Sequence, residues 1–381
     1  MYRYPVIILL LLPLFSFSQA ELSFSKMDSL SYQYYLKGDW KKLIDLSKET
    51  DSQNIESKQI RQRVGYAYFM SGDYYSAMNQ YEKAYEFDQS DDLTKEMLYY
   101  SNLYAGSMNT RYHAGNLSPA SSARLEIKKK NPVESIDVEF NLKTNKTATR
   151  SDQMYYRIGV NSDLGYRVSL YQAYSYYDQT ISRVVTQQPE YLALLKFTLS
   201  PVWHLKMAYH HLFTNVGNVN LPENLGFIAV TSQFNRFNLE VNGSVLNSSL
   251  HTTNQIGFHA GVVLPGKQGI YLNSAIVGMY ENAAFRTIFA ETAGLKCAKA
   301  LWAEGNITVG NLKNYSAINS LYVYNSVDPS IFKTGFSLIY FLGKNLTISG
   351  NFTFDQMENS SVAANKNYYQ YSYSGGIKWK L

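Results

Sequence analysis

From Tyr369 to Leu381 the chain alternates between two kinds of side chain. Tyr369, Tyr371, Tyr373, Ile377, Trp379 and Leu381 share one face of a period-two strand, and Gln370, Ser372, Ser374, Lys378 and Lys380 share the other. Such a strand suits lipid on one side and water on the other. In a bilayer its backbone N–H and C=O groups must find partners within the protein, and among sheets only a closed barrel leaves no open edge. The pattern therefore predicts the last strand of a transmembrane β-barrel. A polar residue, Gly376 two positions later, and then Trp379 and Leu381 at the antepenultimate and final positions match the spacing of the signal read by the barrel-insertion machinery. Leu381 departs from the preferred terminal Phe.

The opposite end predicts export. Residues 1–20 carry Arg3 as their only charge, an apolar run from Val6 to Phe15, and Ser18-Gln19-Ala20 as a small-x-small cleavage site. The run is too short to span a bilayer, and no other stretch approaches the about 18 apolar residues that a membrane helix needs. Aromatic residues make up 15% of the chain, with 34 Tyr, which suits girdles at both membrane interfaces. The single Cys297 excludes an internal disulfide and a cysteine-based metal site, and is expected to serve packing. The net charge of +5 falls to +4 without Arg3, too little to argue for nucleic acid as a partner.

An internal repeat follows the leader. Gly38-Asp39-Trp40 and Gly72-Asp73-Tyr74 are 34 residues apart, and Gly106 comes 34 later. That is the tetratricopeptide period, in which paired helices stack into a groove. In the middle copy Gly65, Tyr68, Gly72, Ala77, Tyr81 and Ala84 hold the small and aromatic packing positions. Tyr34, Gly38 and Trp40 hold them in the first. The expected domain, residues 21–127, is either a periplasmic module docking a protein partner or a small helical plug or spacer.

Lys128-Lys129-Lys130-Asn131-Pro132 lies in a linker over 128–134. Beyond it, over 135–381, period-two alternation takes over. Ile136, Val138, Phe140 and Leu142 alternate with Asp137, Glu139, Asn141 and Lys143; segments around 237–245 and 346–355 behave likewise. Fourteen strands are expected, at 135–143, 153–161, 166–177, 190–199, 203–213, 225–234, 236–247, 254–264, 269–280, 284–297, 300–311, 331–342, 345–356 and 367–381. Short turns near 161–165, 200–201, 235, 265–269, 298–299 and 343–345 are assigned to the periplasmic end. Longer polar loops at 144–153, 178–190, 215–224, 312–330 and 356–366 are assigned to the outside. Leu321 to Asn325 is placed in an outer loop, as a hairpin extension, because a fifteenth strand breaks parity. The fold class is thus α+β multidomain, a short all-α repeat domain followed by an antiparallel barrel. Segments 225–234 and 269–280 are apolar on both faces, so their lumen sides are expected to meet a plug or each other.

On this parity Asp137, Glu139, Glu240, Glu304 and Asp355 face the lumen opposite Arg157, Arg167, Lys196, Lys206, Lys333 and Lys378. They either select solutes or pair and stabilise the wall. Tyr155, Tyr171 and Trp302 project to the same side, either to pack the wall or to offer apolar platforms to sugar rings. His204, His210 and His211 cluster on one strand, yet His204 and His210 share a face while His211 points away, so no metal site is expected. No local signature of a nucleophile and its base is present, so no catalytic residue and no cofactor is expected.

The order of leader, repeats and barrel, with Leu301 to Gly305, Gly310 to Tyr315, Tyr322 to Ser326 and Gly376 to Leu381, resembles the YaiO-type outer-membrane barrel proteins, especially their repeat-bearing versions in Bacteroidetes-like bacteria. The resemblance implies an outer-membrane location in a Gram-negative envelope. It leaves the activity open. Repeats joined to a barrel also resemble exopolysaccharide exporters, which implies a conduit or accessory for surface polysaccharide. The alternative is a non-conducting scaffold or assembly factor that docks a periplasmic protein.

Overall fold

The computed structural model describes residues 24–52, 55–125, 127, 132–147, 149–266, 268–325, 327–359 and 367–381. The leader and the Lys128-Lys129-Lys130 run lie outside the described residues. Two parts follow in chain order: seven helices and a closed barrel of fourteen antiparallel strands.

The helices are α1 (Phe24–Lys37), α2 (Trp40–Ser52), α3 (Lys58–Met70), α4 (Tyr74–Phe87), α5 (Asp92–Ala105), α6 (Thr110–Gly115) and α7 (Pro119–Arg124). Local chemistry sets their ends. Ser57, Asp73, Asp91 and Ser118 each accept an N–H bond from the first turn of α3, α4, α5 and α7. Gly38, Gly72 and Gly106 stand at φ of 66°, 80° and 68°, just past α1, α3 and α5, where a Cβ is strained. Those three helices begin at residues 24, 58 and 92, so the 34-residue spacing of glycines is a spacing of helix ends. Met27, Leu43, Leu46, Ile60, Val64 and Ala67 form one core, and Ala77, Tyr81 and Leu98 form the next, with Tyr68 packed against both.

The strands are β1 (Val133–Asn145), β2 (Gln153–Asp163), β3 (Val168–Ile181), β4 (Val184–Thr198), β5 (Trp203–Val216), β6 (Val219–Phe234), β7 (Phe237–Ser248), β8 (Thr252–Val263), β9 (Tyr271–Glu281), β10 (Ala284–Ala298), β11 (Leu301–Val309), β12 (Tyr315–Ala317), β13 (Tyr322–Tyr324), β14 (Ser330–Leu342), β15 (Leu346–Glu358) and β16 (Asn367–Lys380). All but β12 and β13 form the wall, which closes where β1 pairs with β16, for example Val138 opposite Ile377. Outward positions such as Ile136, Val138, Phe140, Ile158, Ile228, Phe258, Phe352 and Ile377 are exposed, while inward Gln188, Glu190, Asn242, Asp355 and Gln370 are buried. An apolar exterior around a polar interior is the arrangement of a barrel in lipid, and the protein is an outer-membrane-type β-barrel.

Two expected loops are not loops. Residues 178–190 and 215–224 continue β3 into β4 and β5 into β6 through turns at Ser182-Arg183 and Gly217-Asn218. Past the apolar belt both faces of a strand meet water, so alternation fades although pairing continues. The end of the barrel where β1 begins and β16 finishes is called proximal below, and the end with these turns distal.

The helical domain rests on proximal turns. Arg111 pairs with Asp163 at 2.7 Å, Asn109 donates to the Pro201 carbonyl, and Arg236 pairs with Asp73 while its guanidinium covers the Tyr75 ring. These contacts tie α4 and α6 to the β2–β3, β4–β5 and β6–β7 connections.

Candidate functional site

The connection from β11 to β14 does not extend outward as its sequence suggests. It enters the lumen from the distal end, and β12 and β13 pair there as a hairpin, Tyr315 opposite Tyr324 and Ala317 opposite Tyr322. Apolar lumen patches seat it. Leu212, Leu225, Phe227, Ala229 and Leu246 pack with Val323 on one side, and Val277, Met279 and Ile288 pack with Leu312 and Tyr315 on the other. The doubly apolar segments around 225–234 and 269–280 are thus the seats of a plug.

Polar groups fix the hairpin all round the wall. Gln255 donates to the Ser316 carbonyl at 2.9 Å, and Asn325 donates to Gln188 at 2.7 Å and Glu223 at 2.6 Å. Tyr322 donates to Glu139 at 2.6 Å and accepts from Arg157 at 3.0 Å. At the tip Lys206 donates to Asn319 at 3.2 Å, and His210 donates from Nδ1 to the Ser320 carbonyl at 2.7 Å. Ile318, Asn319 and Ser320 all have left-handed φ, at 49°, 54° and 66°, a strained run for residues with side chains. Beside the hairpin a cavity of about 960 Å³ remains. It reaches from His251 near the distal rim to Glu304 on the proximal half of β11.

The charged residues expected in the lumen are placed as follows. Arg157 lies 2.7 Å from Glu139 and 3.6 Å from Asp137; Lys206 lies 2.6 Å from Glu240, and Lys333 lies 3.9 Å from Asp355. Glu304 accepts from the Tyr271 hydroxyl. By strand alternation Lys196 and Lys378 face inward near the proximal mouth. Arg167 does not line the wall: it sits in the β2–β3 turn with its guanidinium 5.1 Å from the centroid of the Tyr112 ring in α6. A turn residue escapes the parity that orders a strand.

His204 and His210 are buried on the inner face and His211 packs outside against Tyr209 and Phe213. His210 Nε2 stands 3.3 Å from a Glu190 oxygen. No group of three or more His, Cys, Asp or Glu residues suited to a metal ion occurs among the described residues. Cys297 is exposed, contrary to a packing role, at an irregularity of β10 where the register with β11 shifts between Lys296 and Ala298. At the seam Gly376 opposes Glu139 and Ser349, Trp379 is exposed, and the Leu381 amide donates to the Glu134 carbonyl at 3.0 Å.

In the helical domain, Gly65 lets Tyr81 approach so closely that a Cβ there stands 2.9 Å from the Tyr81 ring. Ala77, Tyr81 and Ala84 are fully buried, and Tyr34, Trp40 and Tyr68 pack half-buried on the first core. Two titrating groups stand out. The Lys58 ammonium, bonded at 2.8 Å, holds the Asp88 carboxyl well below the usual carboxylate range. Burial holds the His113 imidazole down at about 4.

The residues that sequence reasoning missed are those of the hairpin: Ser316, Asn319, Ser320, Tyr322, Tyr324 and Asn325. The signal that foreshadows them is on the opposite wall, in the inward apolar residues they cover.

No protein-family model matches this chain, and no curated protein matches its sequence. Among solved structures, a bacterial polysaccharide outer membrane secretin is similar at a TM-score of 0.44 and 7% identity, over 66% of this chain and 100% of that one. The toluene transporter TbuX of Ralstonia pickettii gives 0.44 and 7%, over 66% and 90%. The KdgM porin, solved with disordered oligogalacturonate, gives 0.33 and 9%, over 65% and 99%. At such scores these likenesses carry no argument; the strand ladder itself defines the barrel.

Proposed function

We propose that this protein is a conduit or accessory for export of a surface polysaccharide, closed at rest by its own inward hairpin. The helical domain lies in the periplasm, as a short tetratricopeptide-type array that docks a periplasmic protein at the proximal mouth, and the YaiO-type resemblance fits that arrangement. The observation that carries the reading is the cavity of about 960 Å³ left beside the hairpin. Its volume is at the upper end of small-molecule pockets. Asn, Gln, Ser, Thr and Tyr side chains line much of it, as passage of a hydrated chain requires. A plug that served only to stabilise the barrel has no need to leave such a space.

The hairpin's anchors favour a second reading, a scaffold that never opens, since breaking them exposes Glu139, Lys206 and Glu223 together. Planar-bilayer recording separates the two. The intact chain is expected to be nearly silent, and a variant with residues 313–325 replaced by a short Gly-Ser link is expected to show discrete conductance. A silent deletion variant that still has the heat-modifiable gel mobility of a folded barrel supports the scaffold instead.

A further inference from the structure

Three tyrosine hydroxyls in the lumen end on carboxylates. Tyr171 donates to Asp137 at 3.0 Å, Tyr322 donates to Glu139 at 2.6 Å, and Tyr271 donates to Glu304. Two of these rings lie against inward glycines. A Cβ on Gly159 stands 2.1 Å from the Tyr171 hydroxyl, and one on Gly294 stands 2.2 Å from the Tyr271 ring. Only the absence of a side chain lets them lie along the wall.

The pair at the inner end of the cavity has a second ring. Trp302 and Tyr271 have centroids 6.2 Å apart with planes inclined by 38°, and Glu304 lines the cavity beside them. Nearer the distal end, Tyr155 stands 6.1 Å from Tyr322, which donates to Glu139. Each place combines two aromatic rings with a carboxylate. A pyranose ring has complementary chemistry: an apolar C–H face that stacks on an aromatic ring, and hydroxyls that donate to carboxylate oxygens. One Glu304 oxygen accepts the Tyr271 hydrogen bond, and an ionised carboxylate has about four acceptor sites. An acidic sugar is repelled at the same place.

We propose that Tyr271, Trp302 and Glu304 form a binding subsite for a neutral pyranose chain just beyond the inner end of the cavity, where Glu304 lines it and the two rings stand behind that carboxylate, and that Tyr155, Tyr322 and Glu139, which line the cavity, form the next one along. This rests on the reading of the protein as a polysaccharide conduit and names the class of chain it takes.

The test uses the intact chain in lipid nanodiscs with three probes: α-linked and β-linked glucose hexasaccharides and a hexagalacturonate. Saturation-transfer NMR and calorimetry are expected to show binding of at least one neutral probe and at least several-fold weaker binding of the acidic one. Trp302→Ala and Tyr271→Ala are expected to weaken it about ten-fold, in the range of one lost aromatic contact. Tyr271→Phe keeps the ring and is expected to lose only a few-fold, which separates stacking from collapse of the site. Each variant is first checked for heat-modifiable mobility, and Tyr271→Phe with Glu304→Gln replaces any that misfolds. Absence of binding by every probe, equal binding of the acidic probe, or unchanged affinity without the rings overturns the subsite. Conductance of the hairpin deletion is read separately, so the subsite can fail while the conduit stands.

Discussion

In the helical domain the largest fully buried side chains are, apart from the ion-paired Arg61, apolar or aromatic, Met27, Leu43, Ile60, Tyr81 and Leu98 among them, whereas in the barrel wall many buried ones are polar, such as Gln188, Glu190, His210, Asn242 and Asp355. The same chain builds one part around oil and wraps the other in it. The cost of a substitution should therefore depend on which side of which part it touches. A charge is most damaging at an outward barrel position, and lost apolar volume is most damaging at an inward helical one.

The strongest test of that contrast is Tyr81→Ala. It removes a ring closed over Gly65 and is expected to cost the helical domain about 3–5 kcal/mol, the range for aromatic truncations. Circular dichroism at the helical minimum should show early melting while the heat-modifiable gel shift of the barrel persists. If the barrel shift is lost as well, the two parts fold as one unit. Next in size, Val138→Lys on the outer face of β1 is expected to cost about 2–4 kcal/mol, the range for lysine near the bilayer midplane. The same lysine at Ser374, inward on β16, should cost less than about 1 kcal/mol if the lumen is wet. Urea titration into lipid vesicles measures both, and equal costs would contradict the inside-out assignment.

A further effect is set by pH. Burial depresses the folded-state pKa of His113 to about 4 from an ordinary 6.5. The unfolded chain therefore binds the proton first as pH falls. Stability of the helical domain should be full above 6.5 and decline toward 4, by roughly 3 kcal/mol in all. A His113→Gln variant should show a flatter profile over that window by thermal melting.

Much of this architecture is legible because period-two alternation has a physical cause at each residue. Lipid lies on one side and a polar lumen on the other, so β1, β7, β15 and β16 reveal their faces directly. The 34-residue spacing is equally legible, since Gly38, Gly72 and Gly106 answer one backbone requirement. The course of residues 310–329 is not. Tyr315–Ala317 and Tyr322–Tyr324 are too short to show a period, and their aromatic content matches an outer girdle as well as a plug. Their direction is fixed by groups on strands far apart in sequence, Glu139 and Gln255 among them. The extended hairpins of β3–β4 and β5–β6 were hidden for the opposite reason, a local pattern lost where both faces meet water.

The left-handed run Ile318-Asn319-Ser320 has a kinetic meaning as well. Each non-glycine residue held there costs about 1–2 kcal/mol, so the three residues of the turn store roughly 3–6 kcal/mol against its anchors. That is a spring held compressed by the barrel wall. Release of the turn repays part of the work of breaking the Lys206 and His210 bonds, and weakens their hold by a factor of roughly 10²–10⁴ relative to a relaxed turn. Whatever displaces those two bonds is therefore helped by the turn itself.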